Sequence, residues 1–332
     1  MFRLAFFGTP AFARTVLQGL HQWCARGSHS LELVVCQPDR RGGRGKRLQP
    51  PPVKLFAQSQ GIPVAQPITL KQSTDEGAAF HETFRAARID LAVVAAYGRI
   101  IPKALLDPPP YGFVNVHASL LPRWRGASPI QRALQAGDST TGICIMRMTP
   151  RLDEGDVYQA HELPIQPSHN AESLGTDLAA LAARVLPDAL EGILDGSATA
   201  TPQSTQGVTY APLLRKEEGL VNFAQPPHAV VNHTRAMHPW PGSRTWHKGT
   251  CLRLSVAEPV DSSRKNSDPP PAPGTILEVN DRLIVAAAGG AVAFTHAQLP
   301  GKRLLPIAAL CNGYPVQQGE MLEPTAYANP NK

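Results

Sequence analysis

A chain of 332 residues can bury ample apolar surface and, at the usual domain size, is expected to form two domains. Its five cysteines, Cys24, Cys36, Cys144, Cys251 and Cys311, are scattered with no paired spacing near histidines, which excludes a disulfide framework and a structural zinc site. The apolar run at the amino terminus is too short for a signal peptide, and no stretch nears the roughly 20 apolar residues of a membrane span, so a soluble cytoplasmic protein is expected; the net charge of +6 is compatible with a polyanionic partner without requiring one.

Arg3 to Phe7 reads as a strand ending in Gly8-Thr9-Pro10, with Thr9 as the cap and Pro10 as the first residue of a helix reaching about Gln22. The turn lacks the GxGxxG pattern, so no dinucleotide is inferred. Leu31 to Cys36 forms a second strand. The next run, Arg40 to Arg47, holds five positive charges and three glycines in eight residues, which predicts a flexible loop. Such a loop is either a solvated surface feature or a contact for nucleic-acid phosphates. Helices are expected over Val53 to Gly61 and Glu76 to Arg88, with a short strand at Ile62 to Ala65 between them. The continuous apolar run Ile89 to Ala96 suits a central parallel strand covered on both faces. It ends in Tyr97-Gly98, a loop at a strand's carboxyl end.

The most informative stretch runs from Tyr111 to Asp156. Side chains alternate along a strand, so Asn115 and His117 share a face. Ser128, Pro129 and Gln131 form a helix-start signal for Ile130 to Ala136, and Gly137 ends that helix. Gly142 to Met148 is the next strand, delivering Asp153. Strand, helix, strand predicts two parallel neighbours joined by a right-handed crossover. Ligands of open α/β sheets lie beyond the carboxyl ends of the strands, where Asn115, His117 and Asp153 can meet. An amide, an imidazole and a carboxylate suit stabilising an oxyanion and moving one proton, the chemistry of acyl transfer. Taken alone, the same residues also fit satisfied structural polar groups.

Val157 to Ile165 continues the sheet, and Ala171 to Leu194 is a long helix interrupted near Pro187. The Ser-, Thr-, Pro- and Gln-rich run from Gly196 to Gly207 reads as a linker. Beyond Tyr210, β-prone segments recur at close spacing: Val221 to Phe223, Ser243 to Trp246, Leu252 to Val256, Thr275 to Val279, Leu283 to Ala287 and Ala291 to Thr295. They suggest a small barrel, with a helix at Val230 to Met237 and a Pro/Ser-rich insertion at 259–273. The expected organisation is a first domain at 1–195, a linker at 196–209, a barrel at 210–319 and a tail at 320–332.

The runs NVHASLLPRWRGASPIQ and LDEGD, with QPDRRGGRGK upstream and LPGKR downstream, resemble the signature of the folate-dependent formyltransferases. The resemblance covers nearly the whole chain. It implies a Rossmann-like, parallel-sheet α/β catalytic domain followed by an oligonucleotide-binding-like β-barrel. The implied reaction moves the formyl group of 10-formyltetrahydrofolate to the free α-amine of methionine esterified on initiator tRNA, without a metal. Asn115, His117 and Asp153 take the catalytic positions in this resemblance. Ser119, Leu120, Leu121, Pro122, Tyr97, Gly98 and Leu152 take those that hold the folate. Arg40, Arg41, Arg44, Lys46 and Arg47 form the basic loop that engages the acceptor stem, Arg44 matching its most prominent arginine. Four positions depart from the pattern: Ala11 for an acidic residue, Ala118 for Gly, Glu154 for Thr and His238 for Asn. The methyl of Ala118 is tolerable unless the backbone there needs a positive φ. Glu154 adds a charge that faces either His117 or solvent.

Overall fold

The apolar run at Leu91–Ala95 forms the expected strand, and all five residues are buried. It lies in the middle of a seven-stranded sheet of a computed structural model that describes residues 1–27, 29–42, 47–260 and 270–323. The strand order is Val157–Pro164, Thr140–Arg147, Phe113–His117, Leu91–Ala95, Arg3–Gly8, Ser30–Val35 and Val64–Ala65. From Phe113–His117 outward to Val64–Ala65 every pairing is parallel.

The other side of Phe113–His117 differs from the expectation. Thr140–Arg147 pairs with it antiparallel, Asn115 opposite Met146 and His117 opposite Cys144, and Val157–Pro164 continues antiparallel. The connecting helix is the eight-residue Pro129–Ala136, and residues Ile130–Ser139 group with the second compact unit, where Arg132 pairs with Glu218 at 2.6 Å.

The first unit comprises Met1–Pro129, Thr140–Pro164 and Gly175–Pro212. One part of its core is aromatic: Phe7, Phe80, Phe84 and Phe113 pack with Tyr97, their ring centroids 5.4–6.4 Å apart. The helix Ala11–Arg26 begins after Pro10 with no side-chain cap. Thr9 instead donates to the Tyr97 carbonyl and accepts from the Gln37 amide, tying three strand ends together. The long helix Ala171–Asp195 carries Pro187 without a break in its assignment. The supposed linker also has partners of its own. Thr201 exchanges backbone hydrogen bonds with Val157, and Tyr210–Ala211 pairs with Arg125–Gly126.

The second unit contains Ile130–Ser139, Ile165–Leu174 and the chain from Leu213. Its antiparallel sheet runs Ser243–His247, Thr250–Val260, Gly290–Gln298, Leu283–Ala287 and Ile276–Val279, with Leu305–Pro306 added on Gly290–Gln298. The two edges meet through one short segment, since Glu323 bridges Trp246 and Met321 bridges Thr275, which closes the barrel. Val221 and Phe223 are not a strand; both are buried in the barrel core beside Leu252, Val285 and Phe294. The inserted run at 259–273 lies largely outside the described residues, as does the tail beyond Glu323.

Beside the closing segment, buried His247 places Nε2 2.7 Å from Glu320 and Nδ1 3.0 Å from the Tyr314 hydroxyl. Lys248 also pairs with Glu320. Hydrogen bonds from Lys248, the Gln317 amide and His247 hold the Glu320 carboxyl down from 4.5 to about 2. A carboxyl depressed in the folded state stabilises it above the ordinary value, and that contribution fades as pH falls towards the folded value. Glu320→Gln is therefore expected to lower the barrel's unfolding midpoint at neutral pH, with the gap from wild type closing between about pH 5 and pH 2. In the first unit, Phe84→Ala should leave a cavity costing about 3–5 kcal/mol, read as a lower denaturant midpoint.

Candidate active site

Asn115 and His117 lie on one face of a strand whose remaining residues are buried. Ala118 is also buried and is not among the residues with positive φ, so its methyl is accommodated without strain. The His117 side chain is 6% exposed and that of Asp153 14%. An antiparallel strand carries the chain towards the wrong end of the sheet for Asp153 to reach them. The loop after Arg147 corrects this by folding back, with the Arg147 amide donating to the Asp156 carbonyl at 2.8 Å. Gly155 sits at the fold, where an added Cβ would lie 1.8 Å from the Arg147 carbonyl oxygen. Asp153 itself adopts φ +50°, a left-handed conformation unusual outside glycine.

The three predicted residues thus come together. Asp153 accepts from the Gly126 amide at 2.8 Å and from Asn115 Nδ2 at 3.4 Å, and its Oδ2 lies 3.7 Å from His117 Nδ1. His117 Nε2 is 2.9 Å from the Trp124 carbonyl, an acceptor, so this nitrogen carries the hydrogen in the neutral ring. That assignment leaves Nδ1 as the nitrogen able to receive a proton. It faces the carboxylate across a gap too long for a direct hydrogen bond. Cys144, paired with His117 across the sheet, is no rival nucleophile, because burial pushes its thiol up to about 11. Its sulfur accepts from the Leu121 amide instead.

The added charge of Glu154 faces neither His117 nor open solvent alone. Its Oε1 lies 3.4 Å from Arg125 Nη1, and the Arg125 side chain is 9% exposed. Arg125 Nε and Nη2 also donate to Gln203 Oε1, at 3.1 and 2.8 Å. Gln203, Gly126 and Trp124 are site residues that the motif reading missed. Gly126 left a signal in its glycine: φ is +125° and a Cβ would meet the Ala211 carbonyl at 2.6 Å. Gln203 left none, since a glutamine in a polar run reads as linker.

The residues assigned to folate divide. Leu152 is exposed, Gly98 is exposed at φ +75°, and Leu120, Leu121 and Pro122 are half-buried, with a cis Leu121–Pro122 bond. Ser119 is fully buried and its hydroxyl donates to the Arg123 carbonyl, so it shapes the turn. The Tyr97 ring is 2% exposed within the aromatic core, its hydroxyl pushed up to about 12 by burial. Its carbonyl already accepts from Gln37 at 2.7 Å. The Tyr97 ring is therefore core, and the loop following it, from Gly98, is open.

The basic run is paired at its two described ends. Arg40–Gly42 pairs antiparallel with Arg47–Gln49, making a short ribbon. Arg40 and Arg41 are exposed, Arg40 also reaching Gln37 Oε1. Arg44 and Lys46 lie outside the described residues. Asp39 pairs with Lys54 at 2.9 Å and accepts from Gln66 at 2.8 Å, which fixes the base of the ribbon. An open groove at this end of the sheet is lined by Thr9, Gln37, Arg40, Arg41, Gln49 and Ala96. Among the described residues, no group of three or more His, Cys, Asp and Glu is placed to hold a metal, and no helix is long and apolar enough to cross a membrane.

Comparison with known proteins points the same way. Residues 2–190 match the family model described as formyl transferase, and residues 213–315 match that of the formyl transferase C-terminal domain. The methionyl-tRNA formyltransferase of Gluconacetobacter diazotrophicus is 41% identical over 320 residues, covering 96% of this chain and 99% of the relative. That of Alcanivorax borkumensis is 44% identical, covering 94% and 92%. Among solved structures, an N-formyltransferase from Helicobacter canadensis, in complex with folinic acid and dTDP-3-aminofucose, shares the fold with a TM-score of 0.66 at 14% identity, over 90% of this chain and all of that one. HypX from Aquifex aeolicus in complex with tetrahydrofolic acid does so at 0.60 and 17%, over 93% of this chain and 47% of that one. With both of its halves matched and its relatives covered almost end to end, the chain belongs to the methionyl-tRNA formyltransferase family of the formyl transferases.

Proposed function

We propose that the chain transfers the formyl group of 10-formyltetrahydrofolate to the free α-amine of methionine esterified on initiator tRNA, in the cytoplasm, preparing it to start translation. The observation that carries this reading is the convergence of Asn115, His117 and Asp153 at one strand end of a family member. The amine attacks the formyl carbon, the bond from that carbon to the folate N10 breaks, and the amine gives up a proton while N10 gains one. Asn115 keeps one amide hydrogen on Asp153 and directs the other to the oxyanion that develops on the formyl oxygen. His117 Nδ1 takes the proton, directly or through a water in the 3.7 Å gap, and Asp153 balances the resulting imidazolium. Exposed Leu152 and Gly98, with the half-buried Leu120, Leu121 and Pro122, are the residues left to meet the folate.

The basic ribbon supports a polyanionic acceptor over a free amine or a sugar nucleotide. Arg40 and Arg41 are exposed cations on a paired scaffold rather than on a loose chain, with Arg44, Lys46 and Arg47 following in sequence. Phosphate contacts of this kind supply affinity that falls with salt.

The test is formyl transfer from 10-formyltetrahydrofolate to methionyl initiator tRNA, with uncharged tRNA and free methionine as controls. Formylation confined to the charged tRNA is expected; turnover with water or a small amine alone would overturn the acceptor assignment. Asn115→Ala should lower kcat about 100- to 1,000-fold through loss of one oxyanion donor, and His117→Ala should lower it at least as far. The Arg40→Ala, Arg41→Ala pair should raise KM for tRNA and flatten its salt dependence by about two charges while sparing kcat at saturation.

A further inference from the structure

Gln203 lies in the polar run between Gly196 and Gly207, and all four hydrogen-bonding positions of its amide are used. Nε2 donates to the Asp153 carbonyl and to the Gly155 carbonyl, each at 2.8 Å, while Oε1 accepts from Nε and Nη2 of Arg125. The orientation of the amide follows from these partners. Turned over, it would set oxygen against two carbonyls and an NH2 group against a guanidinium. The two carbonyls flank the bend that brings Asp153 back over the sheet, and Asp153 holds the left-handed φ noted above. A non-glycine residue stays there only where its surroundings determine it.

The run that carries Gln203 is itself anchored at both ends. Thr201 and Val157 exchange hydrogen bonds at 2.8 and 2.9 Å on one side. On the other, Thr209 accepts from the Trp124 amide through its hydroxyl and from the Arg125 amide through its carbonyl, both at 2.9 Å. Gln203 is thus a clamp between two backbone segments that each touch the catalytic groups. One segment supplies the Gly126 amide and the Trp124 carbonyl that hold Asp153 and His117. The other supplies Asp153.

We infer that Gln203 is a positioning residue for the reaction: its amide fixes the Asp153 loop against Arg125 and so sets the distances from Asp153 to Asn115, His117 and the Gly126 amide. The inference rests on the catalytic role of Asp153 proposed above. Glutamine is suited to the task because one side chain both donates to two carbonyls and accepts from a guanidinium. Glutamate accepts from Arg125 equally well and cannot donate to the loop.

The experiment compares Gln203→Glu and Gln203→Leu with wild type and with Asp153→Asn, in the full-length protein. The Gly126 amide resonance reports the hydrogen bond to Asp153 whether or not any turnover is measured. It is expected to move in both Gln203 variants, in the same sense as in Asp153→Asn. In the formylation assay kcat is expected to fall about 10- to 100-fold with KM for either substrate changing less than about threefold, the signature of misplaced catalytic geometry. Adding Gln203→Leu to Asp153→Asn should cost little more than Asp153→Asn alone, since the glutamine acts through the carboxylate. An unmoved Gly126 resonance, a rise in KM with kcat kept, or fully additive losses in the double variant would each overturn the inference. Failure of wild type to formylate methionyl-tRNA would instead overturn the reading of the previous subsection, and the Gly126 resonance would still decide this one.

Discussion

The hydrogen bond from the Gly126 amide to Asp153 is the contact on which the rest of the site depends. A carboxylate 14% exposed needs donors, because an unpaired buried charge costs far more than a hydrogen bond returns. Gly126 supplies one at 2.8 Å, and Asn115 adds a longer second at 3.4 Å. The geometry asks much of the backbone on both sides. Asp153 adopts a conformation that costs an L-residue roughly 1–2 kcal/mol, and Gly126 takes a φ and a closeness to Ala211 that a side chain would forbid.

That contact also explains how an antiparallel strand serves a site at the carboxyl end of a parallel sheet. Thr140–Arg147 runs away from His117, so the loop from Met148 to Asp156 must double back across the face that Asn115 and His117 present. Doubling back leaves backbone carbonyls in need of donors. Gln203 satisfies those of Asp153 and Gly155, and the amide of the strand residue Arg147 satisfies that of Asp156. The charged side chains nearby are ordered by the same logic. Glu154 lies between Arg125, whose side chain is 9% exposed, and the exposed Arg151, at 3.4 and 3.5 Å.

The barrel solves a different problem, that of an open antiparallel edge. Met321 and Glu323 bridge its first and last strands, and His247, Tyr314 and Glu320 form a hydrogen-bonded cluster beside that closure. Val221 and Phe223, β-prone in sequence, bury their side chains in the core without forming a strand, although the Val221 amide donates to the Arg244 carbonyl and the Phe223 carbonyl accepts from the Ala288 amide.

The reading of Ile89 to Ala96 as a covered strand, of Ile130 to Ala136 as a helix stopped by Gly137, and of Asn115 with His117 on one face followed from local rules alone: a run of apolar residues, a glycine where helices end, and the alternation of a strand; the elements observed are Leu91–Ala95, Pro129–Ala136 and Phe113–His117. The LDEGD and NVHASLLPRWRG runs likewise pointed to the family, because each is a contiguous motif that can be read without the fold. Local rules failed where a partner lay far along the chain. Thr9 looks like a cap and instead ties Tyr97 to Gln37; Tyr97 lies in the loop expected, yet its ring is core; Gln203 sits in a polar run and donates to the Asp153 and Gly155 carbonyls. The sense of the Thr140–Arg147 strand, antiparallel to Phe113–His117 where a parallel neighbour was expected, belongs with these. Sequence by itself determined that Asn115 and His117 share a strand face and that the chain carries the family's motifs, because side-chain identity and short-range periodicity are local properties. Tertiary structure decided how Asp153 reaches His117 and what holds it there, because a buried hydrogen bond is chosen by which distant groups lack any other partner.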